Sequence, residues 1–81
     1  MEWNGQQKKV IDKARFYFQE KLKAHVFTIP KGTFKNGLFD SDLIEDKYYW
    51  FIEDGSTEKI RLFLSEIYDI EDYHERVEVR E

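Results

Sequence analysis

The side chains that most often carry out chemistry are scarce in this chain, and their spacing matches no catalytic motif. There are two histidines, His25 and His74, and no cysteine, which excludes thiol nucleophiles, disulfides and cysteine-based zinc sites. Ser41, Ser56 and Ser65 lie in no nucleophile motif, and no glycine-rich phosphate-binding loop is present. The sequence therefore predicts a protein that is not an enzyme and that uses no cofactor.

Acidic residues form two groups whose oxygen atoms could in principle ligate a divalent cation. One group lies in residues 40–46 and the other, which includes His74, in residues 69–75. Neither has the ligand spacing or the turn glycine of a calcium loop. Acid–base catalysis by paired carboxylates would also need a pocket and shifted pKa values. We predict solvated acidic turns and no metal site.

Charge is divided unevenly along the 81 residues, which have a net charge of −4. Residues 1–35 carry eight basic and three acidic side chains, whereas residues 36–81 carry five basic and fourteen acidic ones. A basic region favours phosphates or acidic protein surfaces, and an acidic region repels nucleic acid. The simplest interpretation is that both regions are solvated surfaces. The split nevertheless makes a basic partner for the second half, or an acidic one for the first, a reasonable hypothesis.

A helix over residues 6–24 is predicted to carry the basic surface. This segment contains no glycine or proline and is rich in helix-forming residues. At about 100° per residue its apolar side chains form one arc: Val10, Ile11, Ala14, Tyr17, Phe18 and Leu22. We take five cations and one aromatic ring away from this arc as the candidate basic binding face: Lys8, Lys9, Lys13, Arg15, Phe16 and Lys23.

Short strands with tight turns are predicted from residue 25 onward. Turns are indicated at Asn36-Gly37, at residues 45–47 and at residues 54–56. Residues 48–52 are apolar at every position, which predicts a central strand covered on both faces and a buried Trp50. The last residues alternate in polarity and predict a further edge strand, giving a candidate edge-strand interface: Arg76, Val77, Val79 and Arg80.

The predicted fold class is α+β, with an N-terminal amphipathic helix packed on a small, strongly bent antiparallel β-barrel of about five strands. We expect a single domain over residues 1–81: the helix in 6–24, the barrel in 25–73, and a tail or edge strand in 74–81. No apolar run is long enough to span a membrane, and the N-terminal residues show no secretory pattern. The expected location is cytoplasmic.

This order of elements resembles the Sm-like and SH3-like small β-barrels. Gly32 and Gly37 have the Gly-x-x-x-x-Gly spacing of the first Sm motif, followed by Leu38 and then by Asp42. An apolar strand over residues 48–52 then leads into acidic residues, as in that motif. The resemblance implies a helix followed by five bent strands, and it makes RNA binding an alternative function.

The residues of the Sm-type uridine pocket are not matched. The resemblance implies an asparagine before the third strand and an Arg-Gly pair after the fourth. This chain has Glu45, Asp46 and Lys47 at the first place, and Arg61 is followed by Leu62. Any RNA binding would therefore use the basic helix face, and acidic loops would weaken it.

The abundance of aromatic residues favours protein–protein contact. They make up 17% of the chain, more than a barrel this small can point inward, because strand neighbours alternate between faces. Exposed aromatic patches often mark interfaces. We predict a non-catalytic binding or assembly module with a protein partner or self-association. RNA binding is the alternative, and an acidic decoy of nucleic acid is a third hypothesis.

Overall fold

A computed structural model describes residues 5–29 and 33–73 of the chain. His74 and the predicted edge-strand residues Arg76, Val77, Val79 and Arg80 lie outside the described residues. The helix in the described part is not long and apolar enough to cross a membrane.

One helix is followed by five strands. The helix is α1 (Gly5–Glu20), and the strands are β1 (Ala24–Thr28), β2 (Thr33–Phe39), β3 (Tyr48–Glu53), β4 (Lys59–Phe63) and β5 (Ile67–Asp72). A short 3₁₀ turn, Leu64–Glu66, joins β4 to β5. All strand pairs are antiparallel, in the order β4-β3-β2-β1-β5. The predicted α+β class, with a helix on five antiparallel strands, is confirmed. Over the described residues the sheet is open, with β4 and β5 at its two edges, and is not closed into a barrel.

The core lies between α1 and the inner face of the sheet. Val10, Ile11 and Ala14 of the helix are buried, as the predicted apolar arc requires, and Tyr17 and Phe18 pack against the core. The sheet and the 3₁₀ turn contribute Ala24, Val26, Phe39, Tyr49, Phe51, Leu62, Leu64, Ile67 and Ile70. Burying this apolar surface is the main stabilising contribution.

The prediction that β3 is covered on both faces is wrong. Tyr49 and Phe51 have no exposed surface, whereas Tyr48 and Trp50 are only half-buried. Alternate side chains of a strand point to opposite faces, and α1 packs only on the inner one. Trp50 therefore lies on the outer face of the sheet and is not a core residue.

Two predicted tight turns are present. Glu45 and Asp46 both have positive φ, and the Lys47 N–H donates to the Ile44 carbonyl at 2.9 Å. This is the pattern of a type I′ hairpin turn. In the next turn Gly55 has a φ of 86°, which glycine adopts without strain.

Helix α1 ends four residues earlier than predicted, because the chain turns at Lys21. Lys21 has a φ of 54°, and its N–H donates to the Phe18 carbonyl at 3.3 Å. The Leu22 N–H donates to the Tyr17 carbonyl at 3.0 Å, which completes a Schellman motif. Glycine is usual at this left-handed position, so a lysine gives no sequence signal for the helix end.

Strand β2 contains the Asn36-Gly37 pair that the sequence predicts as a turn. Gly37 pairs with Ala24 of β1 on one side and with Glu53 of β3 on the other. A Cβ at residue 37 would overlap the Ile52 carbonyl oxygen and lie 2.9 Å from the Glu53 Cα. The glycine is therefore required for the close approach of β2 and β3, a tertiary constraint that overrides the local turn signal.

We predict that Lys21→Gly raises the free energy of unfolding by about 0.5–1 kcal/mol, because glycine removes the strain of a side chain at positive φ. Urea denaturation measures the change. Lys21→Ala is the matched control, since it removes the same charge but keeps the Cβ, and it should give no gain. Equal stabilisation by both variants would contradict this explanation of the helix end.

We predict that Gly37→Ala lowers the free energy of unfolding by about 3 kcal/mol or more, since β2 and β3 must separate to admit the methyl group. Thermal unfolding followed by circular dichroism measures the loss. Gly5→Ala is the control, because a Cβ there meets nothing within 4 Å. A Gly37→Ala protein as stable as the control would show that the strands do not approach closely at this residue.

Candidate binding surface

The outer face of the sheet carries aromatic and aliphatic side chains that α1 does not cover. Phe34 is 49% exposed and Leu38 is 38% exposed. We define the outer face as the side chains of β1–β4 that point away from α1: His25, Phe27, Phe34, Asn36, Leu38, Tyr48, Trp50, Ile52, Lys59, Arg61 and Phe63. A sheet face with this apolar content is a candidate interaction surface.

The β3–β4 half of the outer face is a ladder of aromatic rings and cations. Tyr48 lies opposite Phe63 and Trp50 lies opposite Arg61 in the strand register. The ring centroid of Tyr48 is 5.5 Å from those of both Trp50 and Phe63. Lys59, at the start of β4, lies 6.0 Å from the Trp50 ring. We call this set, with Arg61, the aromatic ladder.

Arg61 is the cation at the centre of the aromatic ladder. Its guanidinium carbon lies 5.6 Å from the Tyr48 centroid and 5.9 Å from the Trp50 centroid, within cation–π range. Lys59 forms a salt bridge to Asp40 at 3.0 Å, whereas Arg61 forms none with the carboxylates of the described residues. Its exposed N–H groups suit two-point binding of a carboxylate.

His25 lies in an aromatic cluster on the β1–β2 half of the outer face. Its ring centroid is 4.7 Å from that of Phe27 and 4.9 Å from that of Phe34, and Tyr73 stacks nearby at 6.5 Å. Its Nδ1 makes a hydrogen bond with the Asn36 side-chain oxygen. These contacts hold the His25 ring among aromatic side chains of the sheet. The described residues contain no group of three histidine, aspartate or glutamate side chains placed to hold a metal.

Four of the five cations in the candidate basic binding face are engaged in salt bridges. The partners are Asp12 for Lys8 at 3.7 Å, Asp69 for Lys13 at 3.0 Å, Asp42 for Arg15 at 3.0 Å, and Asp54 for Lys23 at 3.0 Å. Three of these pairs connect the basic first part of the chain to the acidic second part. Some of the oppositely charged residues in the two parts of the sequence therefore neutralise each other in the folded chain.

The remaining members of the basic set, Lys9 and Phe16, lie on α1, whereas Lys23 lies beyond the end of that helix. Lys9 and Phe16 both lie exposed on α1, and the Phe16 side chain is 52% exposed. Lys23 follows the end of the helix and precedes β1, where its ammonium also lies 5.4 Å from the Tyr73 ring. The structure therefore divides the predicted set between the helix and the β1 connection.

The outer edge of β5 is closed by side chains. Gln6 Nε2 donates to the Tyr68 carbonyl at 2.6 Å, and Lys13 Nζ donates to the Ile70 carbonyl at 3.1 Å. The Ile70 N–H donates to Asp69 Oδ1 at 2.8 Å. Backbone groups that a further strand would need are thus already bonded, which explains why pairing ends at β5.

Two ionisable groups near this closed edge, Asp69 and Tyr17, have shifted pKa values. Burial raises the pKa of Asp69, but hydrogen bonds from Lys13 and from the Ile70 N–H outweigh it, so the pKa lies below its ordinary value. Burial, followed by a hydrogen bond to Asp72, raises the pKa of Tyr17 to about 12. The Asp69 carboxylate that accepts from Lys13 is therefore ionised at neutral pH.

The outer edge of β4 presents backbone groups of Lys59, Arg61 and Phe63. The Trp50 carbonyl accepts from the Asp40 N–H at 2.7 Å, and the Trp50 N–H donates to Ser41 Oγ at 2.8 Å. Trp50 thus uses its peptide groups on the β2 side. Because antiparallel bonding alternates along a strand, its neighbours bond to Ile60 and Leu62. The N–H and C=O groups of the odd-numbered β4 residues point away from the sheet.

Two small cavities near these elements are lined by described residues. One of about 190 Å³ is lined by Gln7, Lys47, Phe63 and Ser65 among others, and one of about 210 Å³ lies between Phe18 and Leu38. Small-molecule pockets usually enclose about 300–1,000 Å³. Both cavities are smaller than this range.

Arg61 is the functional candidate that sequence reasoning did not single out. Residues 59–63 alternate between polar and apolar positions, and a turn lies at residues 54–56. Pairing this segment with residues 48–52 across that turn would have placed Arg61 beside Trp50. The alternating pattern and the turn were visible in the sequence, but they identify Arg61 only once the strand register is known.

Comparison of the chain with models of known protein families finds no match, and comparisons with curated proteins and with solved structures find none either. The side chains and backbone edges are therefore the basis for inferring function.

We predict that Asp69→Asn lowers the free energy of unfolding by about 1 kcal/mol at pH 7, because a charged hydrogen bond at the β5 edge is lost. The folded-state pKa of Asp69 is lowered, so this stabilisation is present above the ordinary carboxyl pKa. It disappears as the pH falls through the folded-state pKa. Urea denaturation at pH 7 and at about pH 2 measures both values.

Asp12→Asn is the control for this comparison, because Asp12 forms only an exposed pair with Lys8 within α1. Asp12→Asn should lower the free energy of unfolding by less than about 0.5 kcal/mol. An Asp69→Asn effect that stays constant between the two pH values would contradict the proposed role of the charge.

Proposed function

We propose that the chain is a non-catalytic binding module that contacts a partner protein through the aromatic ladder and the adjoining β4 edge. The observation that carries this proposal is Arg61, exposed and without a carboxylate partner in the described residues, held against the half-buried rings of Tyr48 and Trp50. Tyrosine, tryptophan and arginine are the residues most enriched at the energetic centres of protein interfaces. The predicted cytoplasmic location is part of the same proposal.

The ladder is also pre-organised for binding. The rings of Tyr48, Trp50 and Phe63 contact one another in the free chain, and Arg61 packs on two of them. Side chains already held in place lose less conformational entropy on association. A partner would therefore gain apolar contact and a charged hydrogen bond at little ordering cost.

RNA binding through the basic helix face is the alternative, and the salt bridges count against it. Lys8, Lys13, Arg15 and Lys23 are each paired with an aspartate, so a phosphate would have to displace a carboxylate. The same pairs engage acidic side chains, which weakens the acidic-decoy hypothesis.

The order of helix and five strands supports a proposed Sm-like arrangement, but Glu45 and Asp46 occupy the turn where that family's pocket would lie.

We predict that the wild-type chain, used as bait in a native cell extract, captures a protein whether or not the extract is treated with nuclease. Trp50→Thr should lose that protein, because threonine suits a strand but removes the ring that supports Arg61. Quantitative mass spectrometry of the captured material measures the difference.

Phe16→Ala is the matched control, since it removes an exposed aromatic ring from α1 and not from the ladder. It should retain the captured protein, and circular dichroism should show all three baits folded. The proposal fails if wild type captures no protein, if capture depends on nucleic acid, or if Trp50→Thr behaves as Phe16→Ala does. Single-stranded RNA binding that falls steeply with salt and is lost in Lys9→Glu would establish the alternative.

A further inference from the structure

The β4 edge and Arg61 together define the chemistry of the partner, an inference that rests on the proposed function. We infer that this edge accepts an extended segment of a partner protein as a sixth strand, with a carboxylate of that segment opposite Arg61. The two features are independent: one is a row of backbone groups and the other is a charge.

The backbone row provides the first part of the recognition. Lys59, Arg61 and Phe63 direct their N–H and C=O groups away from β3, as the bonding pattern of Trp50 requires. An extended peptide bonds to such groups regardless of its side chains. The opposite edge of the sheet is unsuited to this because Gln6, Lys13 and Asp69 already bond to β5.

Arg61 provides the second part. In an antiparallel pair the residue directly opposite Arg61 shares its face of the sheet, so its side chain would lie on the outer face beside the guanidinium. Lys59 is already bonded to Asp40, so Arg61 is the ladder cation that has no carboxylate partner among the described residues. A carboxylate there would gain charge-assisted hydrogen bonds that an amide or a cation could not match.

The inner side of β4 indicates what should flank the carboxylate. Ile60 is only partly buried and packs against the core, next to the fully buried Leu62. The residues on either side of the carboxylate would point to this inner side, so apolar side chains are favoured there. The recognised pattern is therefore a carboxylate between two aliphatic residues in an extended segment.

A second copy of the chain fits this edge less well. Antiparallel pairing of two β4 strands centred on Arg61 places two guanidinium groups opposite each other, and like charges in that position destabilise a pair. The β5 edge of a second copy is closed by its own helix. Charge complementarity thus favours a carboxylate-bearing partner over self-association.

The test uses a nine-residue peptide of alternating valine and threonine, with a central glutamate flanked by valines. Two matched peptides carry glutamine or lysine in place of the glutamate. NMR titration of the ¹⁵N-labelled full chain should show amide signals of Lys59, Arg61 and Phe63 shifting, and those of Tyr68 and Ile70 unchanged. The glutamate peptide should bind roughly tenfold more tightly than the lysine peptide, which corresponds to a difference in binding free energy of about 1.4 kcal/mol.

Arg61→Glu should reverse this preference, so that the lysine peptide binds more tightly than the glutamate peptide. Lys9→Glu makes the same charge change on the exposed surface of α1 and should leave the wild-type order unchanged. The reversal keeps the test valid even if the variant is somewhat less stable, because both peptides are compared on one protein.

Each other outcome overturns the inference in a distinguishable way. Equal affinity for the three peptides rejects recognition of the carboxylate. Equal binding of a peptide with alternate N-methylated amides rejects strand addition. Light scattering that shows a dimer lost on Arg61→Glu assigns the edge to a second copy. If no peptide shifts the β4 signals while Trp50→Thr still loses the captured protein, the inference fails and the proposed function stands.

Discussion

The close approach of β2 and β3 at Gly37 is the constraint on which the arrangement of this small sheet depends. The residue has β1 on one side and β3 on the other, and there is no room for a side chain against the Ile52 carbonyl. Its position sets the register of β3, and the register decides which side chains face α1. Tyr49 and Phe51 therefore enter the core, and Tyr48 and Trp50 lie on the outer face with the β4 cations.

The two edges of the sheet differ because α1 lies against only one of them. Lys13 bonds both to the Asp69 side chain and to the Ile70 carbonyl, and Gln6 bonds to the Tyr68 carbonyl. The helix thus contributes to the core with its apolar arc and blocks the β5 edge with polar side chains. At β4 the outward backbone groups lie beside Arg61 and two aromatic rings. We propose that a partner binds at β4, where the described part of the chain leaves the edge backbone groups and the Arg61 charge without partners.

The sequence alone was sufficient for the α+β class, the apolar side of α1 and the position of most strands, because these follow from the local periodicity of apolar residues. The helix end was missed since Lys21 occupies a position that usually holds glycine. Asn36-Gly37 has the composition of a turn, but the glycine is needed for a contact with a strand more than ten residues away. Local composition cannot report such contacts.

The binding surface was less predictable than the fold for a related reason. Every residue of β3 from 48 to 52 is apolar, so the sequence does not show which face is covered, and Trp50 was assigned to the core. The basic residues of α1 were visible, but the aspartate partners of Lys13 and Arg15 come from β5 and from a distant loop. Arg61 becomes notable only when the strand register places it beside Trp50.

Amide hydrogen exchange in the free chain shows whether β5 is a closed edge and β4 an open one. We expect the amides of Arg61 and Phe63 to exchange at nearly unprotected rates, and those of Ile60 and Leu62, which bond to β3, to be protected. The Ile70 amide should exchange more slowly than that of Arg61, because it donates to Asp69. Protection of the Arg61 amide equal to that of Leu62 would show that the β4 edge is already occupied, and would contradict the account.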